Sequence, residues 1–170
     1  MNTRYSDLKD KRIFITGGGS GIGASIVEHF CEQGSEVYFV DINVKDSKKL
    51  INTINNKGFR IPTFIECNLL NVQKLQKIIK KIISTKGTIH SLVNNAANDD
   101  RHNSKQVDEK YWENRMAINL KHYFFASKAV IDGMIKNKNG SIVNLSSVSW
   151  MLGEGDKVVY ETAKSAVVGL

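Results

Sequence analysis

Cysteine is scarce in this sequence, which argues against a cysteine-based metal site and against a cysteine-based redox site. Only Cys31 and Cys67 occur among the 170 residues, and they form no metal-binding or redox motif. No two of the four histidines stand four residues apart, so no helix would present the paired imidazoles that bind zinc. The sequence therefore predicts no metal site, and both cysteines are expected to be reduced packing residues.

Long hydrophobic runs are also missing. No segment approaches the roughly 18 consecutive apolar residues that a membrane-spanning helix requires. The segment from Met1 to Arg12 is polar and charged, and it contains no apolar stretch that would direct export. We therefore expect no membrane association and a location in the reducing cytoplasm.

The net charge of +7 raises the question of nucleic-acid binding. The lysines, however, are spread over segments such as Lys45–Lys57 and Lys74–Lys86, where they alternate with Leu and Ile. That arrangement is typical of the solvated faces of amphipathic helices. Aromatic residues that would form stacking platforms for bases do not lie between the basic ones. The sequence therefore favours a protein that does not bind nucleic acid.

Short apolar runs alternate with longer amphipathic segments along the whole chain. The predicted strands are Arg12–Thr16, Glu36–Val40, Ile61–Glu66, Ile89–Val93 and Gly140–Leu145. The predicted helices are Gly21–Gln33, Asp46–Lys57, Val72–Thr85, Lys110–Lys136 (broken near its start) and Val158–Leu170. This alternation indicates an α/β fold of the Rossmann type, a doubly wound parallel sheet with strand order 3-2-1-4-5. No repeat or linker divides the chain, so residues 1–170 are expected to be one dinucleotide-binding domain.

The only proline supports this plan. Pro62 stands at the start of the third predicted strand. In the order 3-2-1-4-5 that strand lies at an edge of the sheet, where a missing backbone N–H is tolerated.

A glycine-rich turn follows the first predicted strand and opens a helix. It reads Thr-Gly-x-x-x-Gly-x-Gly, from Thr16 to Gly23. Backbone without side chains can approach a pyrophosphate closely, and the N–H groups and dipole of a helix N-terminus favour negative charge. The strand before it and the helix after it provide the context that a dinucleotide site needs, whereas the alternative is a plain glycine-rich turn.

Asp41 ends the second predicted strand, about 20 residues beyond the glycine turn. A carboxylate there accepts hydrogen bonds from the ribose hydroxyls of the adenosine and repels a 2′-phosphate. The glycine turn contains no Lys or Arg to attract that phosphate, although Lys45 is close in sequence. NAD is therefore predicted over NADP, the alternative being that Asp41 is an ordinary turn residue.

Ser147, Tyr160 and Lys164 form a candidate catalytic set. Tyr160 and Lys164 are four residues apart and would share one face of a helix. A phenol has a pKa near 10 and is a weak base at neutral pH, but a neighbouring ammonium group favours its ionised form. Ser147 follows a predicted strand and would hydrogen-bond the reacting oxygen. The alternative is a surface tyrosine and lysine on an amphipathic helix.

These motifs together resemble the short-chain dehydrogenase/reductase family over about Leu8 to Leu170. The glycine signature of the family matches Thr16–Gly23, and its Asn-Asn-Ala-Gly motif matches Asn94-Asn95-Ala96 before departing at Ala97. The family's Asp near the adenine is replaced by Asn68. The resemblance implies catalytic positions at Asn119, Ser147, Tyr160 and Lys164. It implies cofactor contacts from Gly17, Gly19, Ser20, Gly21, Ile22, Gly23, Asp41, Asn68, Leu69, Asn95, Ala96, Tyr160 and Lys164.

Each catalytic position has a role implied by the resemblance. Asn119 would hold a water relay, and Ser147 would orient the substrate. Tyr160 would exchange the proton, and Lys164 would also bind the nicotinamide ribose.

Three segments carry a narrower resemblance within the family, namely Asn98–His102 after the fourth predicted strand, Ser147–Trp150 after the fifth, and Tyr160–Lys164. In these segments the chain resembles the bacterial NAD-dependent aldose 1-dehydrogenases of the D-xylose type. This implies oxidation of an aldose, such as a pentose, at its anomeric carbon to an aldonolactone. A polar rim could recognise sugar hydroxyls and an indole could stack on a pyranose face. The candidate substrate residues are Asn98, Asp100, Arg101, Ser149 and Trp150. An NADPH-dependent carbonyl reductase and a catalytically silent nucleotide-binding remnant are the alternatives.

The sequence stops at Leu170, inside the predicted tyrosine–lysine helix. Family members usually continue through two more strands and a segment that covers the substrate. We therefore expect a domain that is incomplete at its C-terminus and lacks those two strands. The resemblance also implies a homo-oligomer, a dimer or tetramer, for a full-length protein.

Overall fold

The computed structural model describes residues 3–170 and contains a five-stranded, all-parallel sheet. The strand order is β3-β2-β1-β4-β5, which confirms the predicted order. The strands are β1 (Arg12–Thr16), β2 (Glu36–Asp41), β3 (Thr63–Glu66), β4 (Ser91–Asn94) and β5 (Ser141–Asn144). In the register, Thr16 pairs with Val40 of β2 and with Asn94 of β4. The carboxyl ends of the three central strands therefore lie side by side.

Helices cover both faces of this sheet. They are α1 (Gly21–Glu32), α2 (Val44–Asn56), α3 (Val72–Lys86), α4 (Glu109–Met116), α5 (His122–Lys136), α6 (Ser149–Leu152) and α7 (Val158–Val167). Three of them begin at a polar residue whose side chain accepts a hydrogen bond from the first turn, namely Asn43, Asn71 and Asp108. Within residues 3–170 no helix is long and apolar enough to cross a membrane.

The apolar runs of the strands divide between two cores because successive side chains point to opposite faces. Ile13 and Ile15 pack on one face with Val27 of α1 and Ile54 of α2. Phe14, which stands between them in sequence, packs on the other face with residues of α3 and α5. Burial on both faces explains why β1 reads as an uninterrupted hydrophobic run rather than an alternating one.

Several predicted boundaries were wrong by a few residues. The third strand begins at Thr63, so Pro62 lies just before it and not within it. Proline has no N–H to donate, and pairing with β2 starts only beyond it. The last helix ends at Val167 instead of Leu170, and the short helix α6 between β5 and α7 was not predicted.

The long helical segment is interrupted in a specific way. A π-helical turn, Ala117–Lys121, separates α4 from α5. The sequence predicted a break nearer to the start of this segment. Wide turns of this kind are frequent at functional sites, because they redirect side chains that a regular helix would place elsewhere. Asn119 stands in the middle of this turn and is fully buried.

Candidate active site

A cavity of about 570 Å³ lies at the carboxyl ends of the central strands. This is where ligands bind in open parallel sheets, at the point where the strand order reverses. The volume falls within the range of small-molecule sites. Its lining residues are Gly17, Ser20, Gly21, Ile22, Gly23, Asp41, Ile42, Asn43, Cys67, Asn68, Leu69, Asn95, Ala96, Ala97, Asn98, Asp99 and Ile118.

The glycine turn forms one wall of this cavity and tolerates almost no side chain. A Cβ atom on Gly23 would lie 1.9 Å from the carbonyl oxygen of Gly17, and one on Gly17 would lie 2.8 Å from Cα of Ala96. Gly17 also has a φ of +67°, in the left-handed region. Gly21, in contrast, borders open space. The turn therefore packs tightly against the protein behind it and leaves its backbone open towards the cavity.

The N-terminus of α1 faces the same cavity. Ser20 is its N-cap residue, and its side chain makes no capping hydrogen bond. The first backbone N–H groups of a helix have no intrahelical partner, so they can donate to an anion. The geometry fits a pyrophosphate group.

A network of hydrogen bonds joins the glycine turn to the segment that follows β4. Oγ1 of Thr16 accepts from the backbone N–H groups of Asn95 and Ala96, both at 3.1 Å. The side-chain amide of Asn95 donates in return to the carbonyl oxygens of Thr16 and Gly17, at 3.0 Å each. These bonds fix two walls of the cavity relative to each other.

Asp41 lies at the end of β2 and uses both carboxylate oxygens. Oδ2 accepts from the backbone N–H of Gly19 at 2.8 Å, and Oδ1 accepts from that of Asn43 at 2.8 Å. The amide of Gly19 is therefore engaged with Asp41, and Gly19 does not line the cavity. Among the described residues that do line it, none is Lys or Arg.

Asn68 and Leu69, two of the residues predicted to contact the cofactor, line the cavity as well. Oδ1 of Asn68 accepts from the backbone N–H of Leu70 at 3.0 Å, so its amide oxygen stabilises the local turn. Ile22 and Ile42 are exposed at the cavity, each at 67%. Two exposed isoleucines provide apolar surface for a flat ring system.

Asn119 binds the segment after β4 through both ends of its amide. Its Oδ1 accepts from the backbone N–H of Asn98 at 2.7 Å, and its Nδ2 donates to the carbonyl oxygen of Asn98 at 3.0 Å. The π-helical turn is what places this buried amide against the loop. Asn119 thus holds the cavity wall at Asn98 in position.

Lys164 and Tyr160 lie together on α7, as their spacing predicted. The Nζ atom of Lys164 is 5.7 Å from the centre of the Tyr160 ring. Lys164 is only 1% exposed, and burial lowers its pKa to about 8. Its Nζ donates to Oη of Tyr123 at 2.8 Å and to the carbonyl oxygen of Leu145 at 2.6 Å. Neither Lys164 nor Tyr160 lines the main cavity.

Ser147 lies in the segment between β5 and α6 and bonds to a neighbouring serine. Its Oγ is 2.9 Å from Oγ of Ser149 and accepts from the backbone N–H of Ser149 at 3.2 Å. Ser147 and Trp150 line a second, shallower cavity with Met151 and Val168. Of the predicted substrate residues, Ser149 and Trp150 are therefore near Ser147, and Asn98 lines the main cavity.

Asp100 and Arg101 are engaged elsewhere. Oδ2 of Asp100 pairs with Nη2 of Arg115 at 2.9 Å. Arg101 is paired with Asp156 and, at 3.8 Å, with Glu154, both in the segment before α7. Neither side chain lines the main cavity, so the structure does not bring these two predicted substrate residues to it.

Two buried residues behind the site were missed by the sequence reasoning. His122 is fully buried, and its Nε2 is 3.4 Å from Oγ1 of Thr16. Burial and, to a smaller extent, the nearby charge of Lys164 lower the pKa of His122 to about 3, so the imidazole is neutral. Tyr123 is fully buried as well and contacts Lys164. No motif identifies them; the one signal is that Tyr123 follows Asn119 by four residues.

Known proteins that are similar to this chain in sequence or structure include sugar dehydrogenases. The chain is 42% identical over 166 residues to a D-xylose 1-dehydrogenase of Caulobacter vibrioides, covering 98% of this chain and 65% of that protein. It is 38% identical over 169 residues to a probable galactose dehydrogenase of Rhizobium meliloti, covering 99% and 66%. The ligand-free structure of Thermoplasma acidophilum aldohexose dehydrogenase matches with a TM-score of 0.83 at 33% identity, covering 97% of this chain and 60% of that chain. The chain spans about two thirds of the length of these relatives.

A family-level match agrees with the geometry. The sequence model of the family described as short chain dehydrogenase matches residues 11–170, which include the glycine turn and the tyrosine–lysine helix. The strand order, the cavity at the switch point and the paired Tyr160 and Lys164 are consistent with that match. The chain belongs to the short-chain dehydrogenase family.

Proposed function

We propose that this chain is the dinucleotide-binding part of an NAD-dependent dehydrogenase. The fit of the site supports a nicotinamide dinucleotide: a glycine turn that a Cβ atom would block, uncapped N–H groups on α1 and a carboxylate at the end of β2. Gly17, Ser20, Gly21, Ile22 and Gly23 would surround the pyrophosphate. Asp41 would accept from the adenosine ribose, and Asn68, Leu69, Asn95 and Ala96 would complete the cavity.

The observation that carries the catalytic proposal is the buried ammonium group of Lys164 beside the ring of Tyr160. A tyrosine hydroxyl group can exchange a proton with a substrate hydroxyl group, and a cation beside it stabilises the negative charge that develops on its oxygen during the transfer. The bound cofactor would supply hydride-accepting chemistry at its nicotinamide ring. Ser147 would donate a hydrogen bond to the substrate oxygen, and Asn119 would hold the adjoining loop.

The substrate we propose is an aldose, oxidised at its anomeric carbon to an aldonolactone. The names of the similar proteins support this class, since they are dehydrogenases of D-xylose, galactose and aldohexoses. Trp150, which lines the cavity beside Ser147, suits a sugar because it offers an aromatic face that a pyranose ring can cover. Ser149 is buried, and its hydroxyl group lies 2.9 Å from that of Ser147, which it would help to orient towards the sugar.

Cofactor reduction with a panel of sugars tests this function. Purified chain is incubated with NAD and D-xylose, L-arabinose, D-galactose or D-glucose, and formation of the reduced cofactor is followed by absorbance. Turnover with a pentose is expected, together with its loss in Tyr160→Phe and Lys164→Met. The matched control is Tyr5→Phe, an exposed tyrosine far along the chain from α7. Calorimetry measures cofactor binding separately. If the cofactor binds but no sugar is turned over, the proposed dehydrogenase function is contradicted and only nucleotide binding is supported.

The preference for NAD has its own test. Asp41→Asn keeps an acceptor oxygen for the N–H of Gly19 or Asn43 but removes the charge that would repel a 2′-phosphate. The ratio of NADP to NAD affinity is therefore expected to rise by about tenfold or more. Asp46→Asn is the control, because Asp46 lies in the first turn of α2 outside the cavity. An unchanged ratio in Asp41→Asn would contradict the role of Asp41, and so would an equal rise in the control.

We also propose self-association through α5. This helix exposes Phe124 at 51%, Ile131 at 43% and Ile135 at 67%. Exposed large apolar residues on one helix mark protein contact surfaces. Light scattering after gel filtration should give a mass of two or four chains, and Ile135→Glu should lower it. A monomer at all concentrations would refute this proposal.

We propose that the protein works in the reducing cytoplasm on small molecules, without nucleic acid or membrane partners. Cys31 and Cys67 are both buried free thiols, and burial raises the pKa of Cys31 to about 12. Thiols of this kind are packing residues and not redox centres. Fractionation of cells that express the protein would test the location.

A further inference from the structure

The ammonium group of Lys164 has two hydrogen-bond acceptors in the described structure that the proposed function does not use. They are Oη of Tyr123 at 2.8 Å and the carbonyl oxygen of Leu145 at 2.6 Å. A lysine ammonium carries three N–H donors. Two of them are therefore committed to these oxygens, and one remains for Tyr160 or a ligand.

The direction of the hydrogen bonds between these three groups is fixed by their chemistry. Oη of Tyr123 lies 3.2 Å from the carbonyl oxygen of Leu145. A carbonyl oxygen can only accept, so the hydroxyl proton of Tyr123 points to Leu145. The lone pairs of Oη are then free to accept from Nζ. The hydroxyl group thus ties the lysine to the end of β5.

The buried environment of Tyr123 favours the neutral form of its hydroxyl group. Tyr123 is fully buried on α5, and burial raises its pKa above the usual value of a tyrosine. Its ring centre also lies 4.9 Å from Nζ of Lys164, close enough for a cation–π contact. The phenol therefore stabilises the cation through both its oxygen and its ring, without taking its proton.

The lysine is held from its backbone side as well. Oγ of Ser146 donates to the carbonyl oxygen of Lys164 at 2.7 Å. The backbone of α7 and the tip of the lysine side chain are thus both fastened to the segment after β5. Tyr123 is the one side chain of this set that comes from a different helix.

We propose that Tyr123 is a positioning residue that holds the Lys164 ammonium at the carboxyl end of β5, leaving one N–H for Tyr160 or the cofactor. The catalytic consequence rests on the proposed dehydrogenase function. The contact itself does not, and it can be tested in the protein without turnover.

Tyr123→Phe is the test, because it keeps the ring and removes only the hydroxyl group. An acceptor for the charged form of Lys164 is lost, so the pKa of Lys164 should fall from about 8 by about one pH unit. Nuclear magnetic resonance of protein labelled with 13Cε-lysine measures this, with the Lys164 signal assigned by its loss in Lys164→Met. The matched control is Tyr38→Phe, another buried tyrosine, whose hydroxyl bonds to Glu36 at the start of β2.

Turnover gives a second readout. At pH 9, kcat of Tyr123→Phe should fall about tenfold, and at pH 7 about twofold, because the charged fraction of Lys164 falls by these factors when its pKa drops from about 8 by about one pH unit. KM for the sugar should change little, and the alkaline limit of the pH profile should move to lower pH. A merely structural role would lower the amount of folded protein but leave the pH profile of the remainder unchanged. Tyr38→Phe should keep the parent profile.

The outcomes separate the two proposals. An unchanged Lys164 titration in Tyr123→Phe overturns the positioning role. A shifted titration in a chain without turnover supports that role while the dehydrogenase function fails. If Tyr123→Phe does not fold, the parent protein labelled with 13Cζ-tyrosine decides: the Tyr123 signal should show an inflection near pH 8, where Lys164 titrates. Absence of the inflection overturns the proposal.

Discussion

His122 should make this protein sensitive to mild acid. The imidazole is fully buried beneath the glycine turn, and burial, reinforced by the charge of Lys164, lowers its pKa from 6.5 to about 3. The unfolded chain therefore binds a proton at His122 below pH 6.5, whereas the folded chain binds it only below about pH 3. Stability that is complete above pH 6.5 is lost progressively as the pH falls through this interval.

The size of the loss follows from the two pKa values. Linkage between protonation and folding predicts that His122 alone costs about 2 kcal/mol of unfolding free energy when the pH falls from 7.5 to 5. That is a large part of the stability of an ordinary domain. Charging the imidazole inside the fold would instead place a second cation near Lys164.

Urea unfolding at both pH values measures this loss. His122→Gln keeps an amide that can replace Nε2 beside Thr16 but cannot titrate, so its loss between pH 7.5 and 5 should be smaller by about 2 kcal/mol. His29→Gln is the control, since His29 lies in the last turn of α1 and its imidazole hydrogen-bonds Ser25 within the same helix. Equal losses in His122→Gln and the parent would refute the reasoning.

Three further predictions concern the site. Gly23→Ala should destabilise the protein by at least about 2 kcal/mol in urea unfolding, because the added Cβ meets the Gly17 carbonyl oxygen at 1.9 Å. Gly155→Ala, where space is open, should not. Asn119→Ala should lower the free energy of unfolding by about 2 kcal/mol in the same assay, because it leaves the backbone N–H and carbonyl of Asn98 without these partners. An unchanged free energy of unfolding would contradict the role of Asn119 in holding Asn98. Lys164 titrates near pH 8 when folded and at 10.5 when unfolded, so its contribution to stability rises with pH across that interval. Thermal unfolding of Lys164→Met from pH 7 to 10 should lack this rise, and identical curves would exclude it.

The sheet and the cofactor cavity were predictable because their signals are local. The run from Ile13 to Ile15 is buried on both faces, which is typical of a strand in a parallel sheet between helix layers. The glycine turn and Asp41 follow strands directly, so the fold brings them to one edge of the sheet. The sequence alone therefore predicts where they lie relative to the sheet.

The remaining parts depend on contacts between distant segments. Tyr123 meets Lys164 across 41 residues, and His122 meets Thr16 across 106, which no spacing rule detects. Arg101 looked like a residue that could bind a sugar, yet its distance from the cavity is set by partners 53 and 55 residues later, Glu154 and Asp156. Hydrogen-bond partners of this kind are fixed only when the helices pack.

The π-helical turn Ala117–Lys121 has a consequence for how this chain can vary. Each residue of a helix advances the direction of the side chains by about 100°. Deleting one residue from the turn would rotate all of α5 by that angle and withdraw Ala126 and Val130 from the core. The buried Tyr123 would turn away from Lys164, and Asn119 would lose its contact with Asn98. The length of the turn and the packing of α5 are therefore expected to be conserved together, because a change in the length of the turn would disrupt that packing.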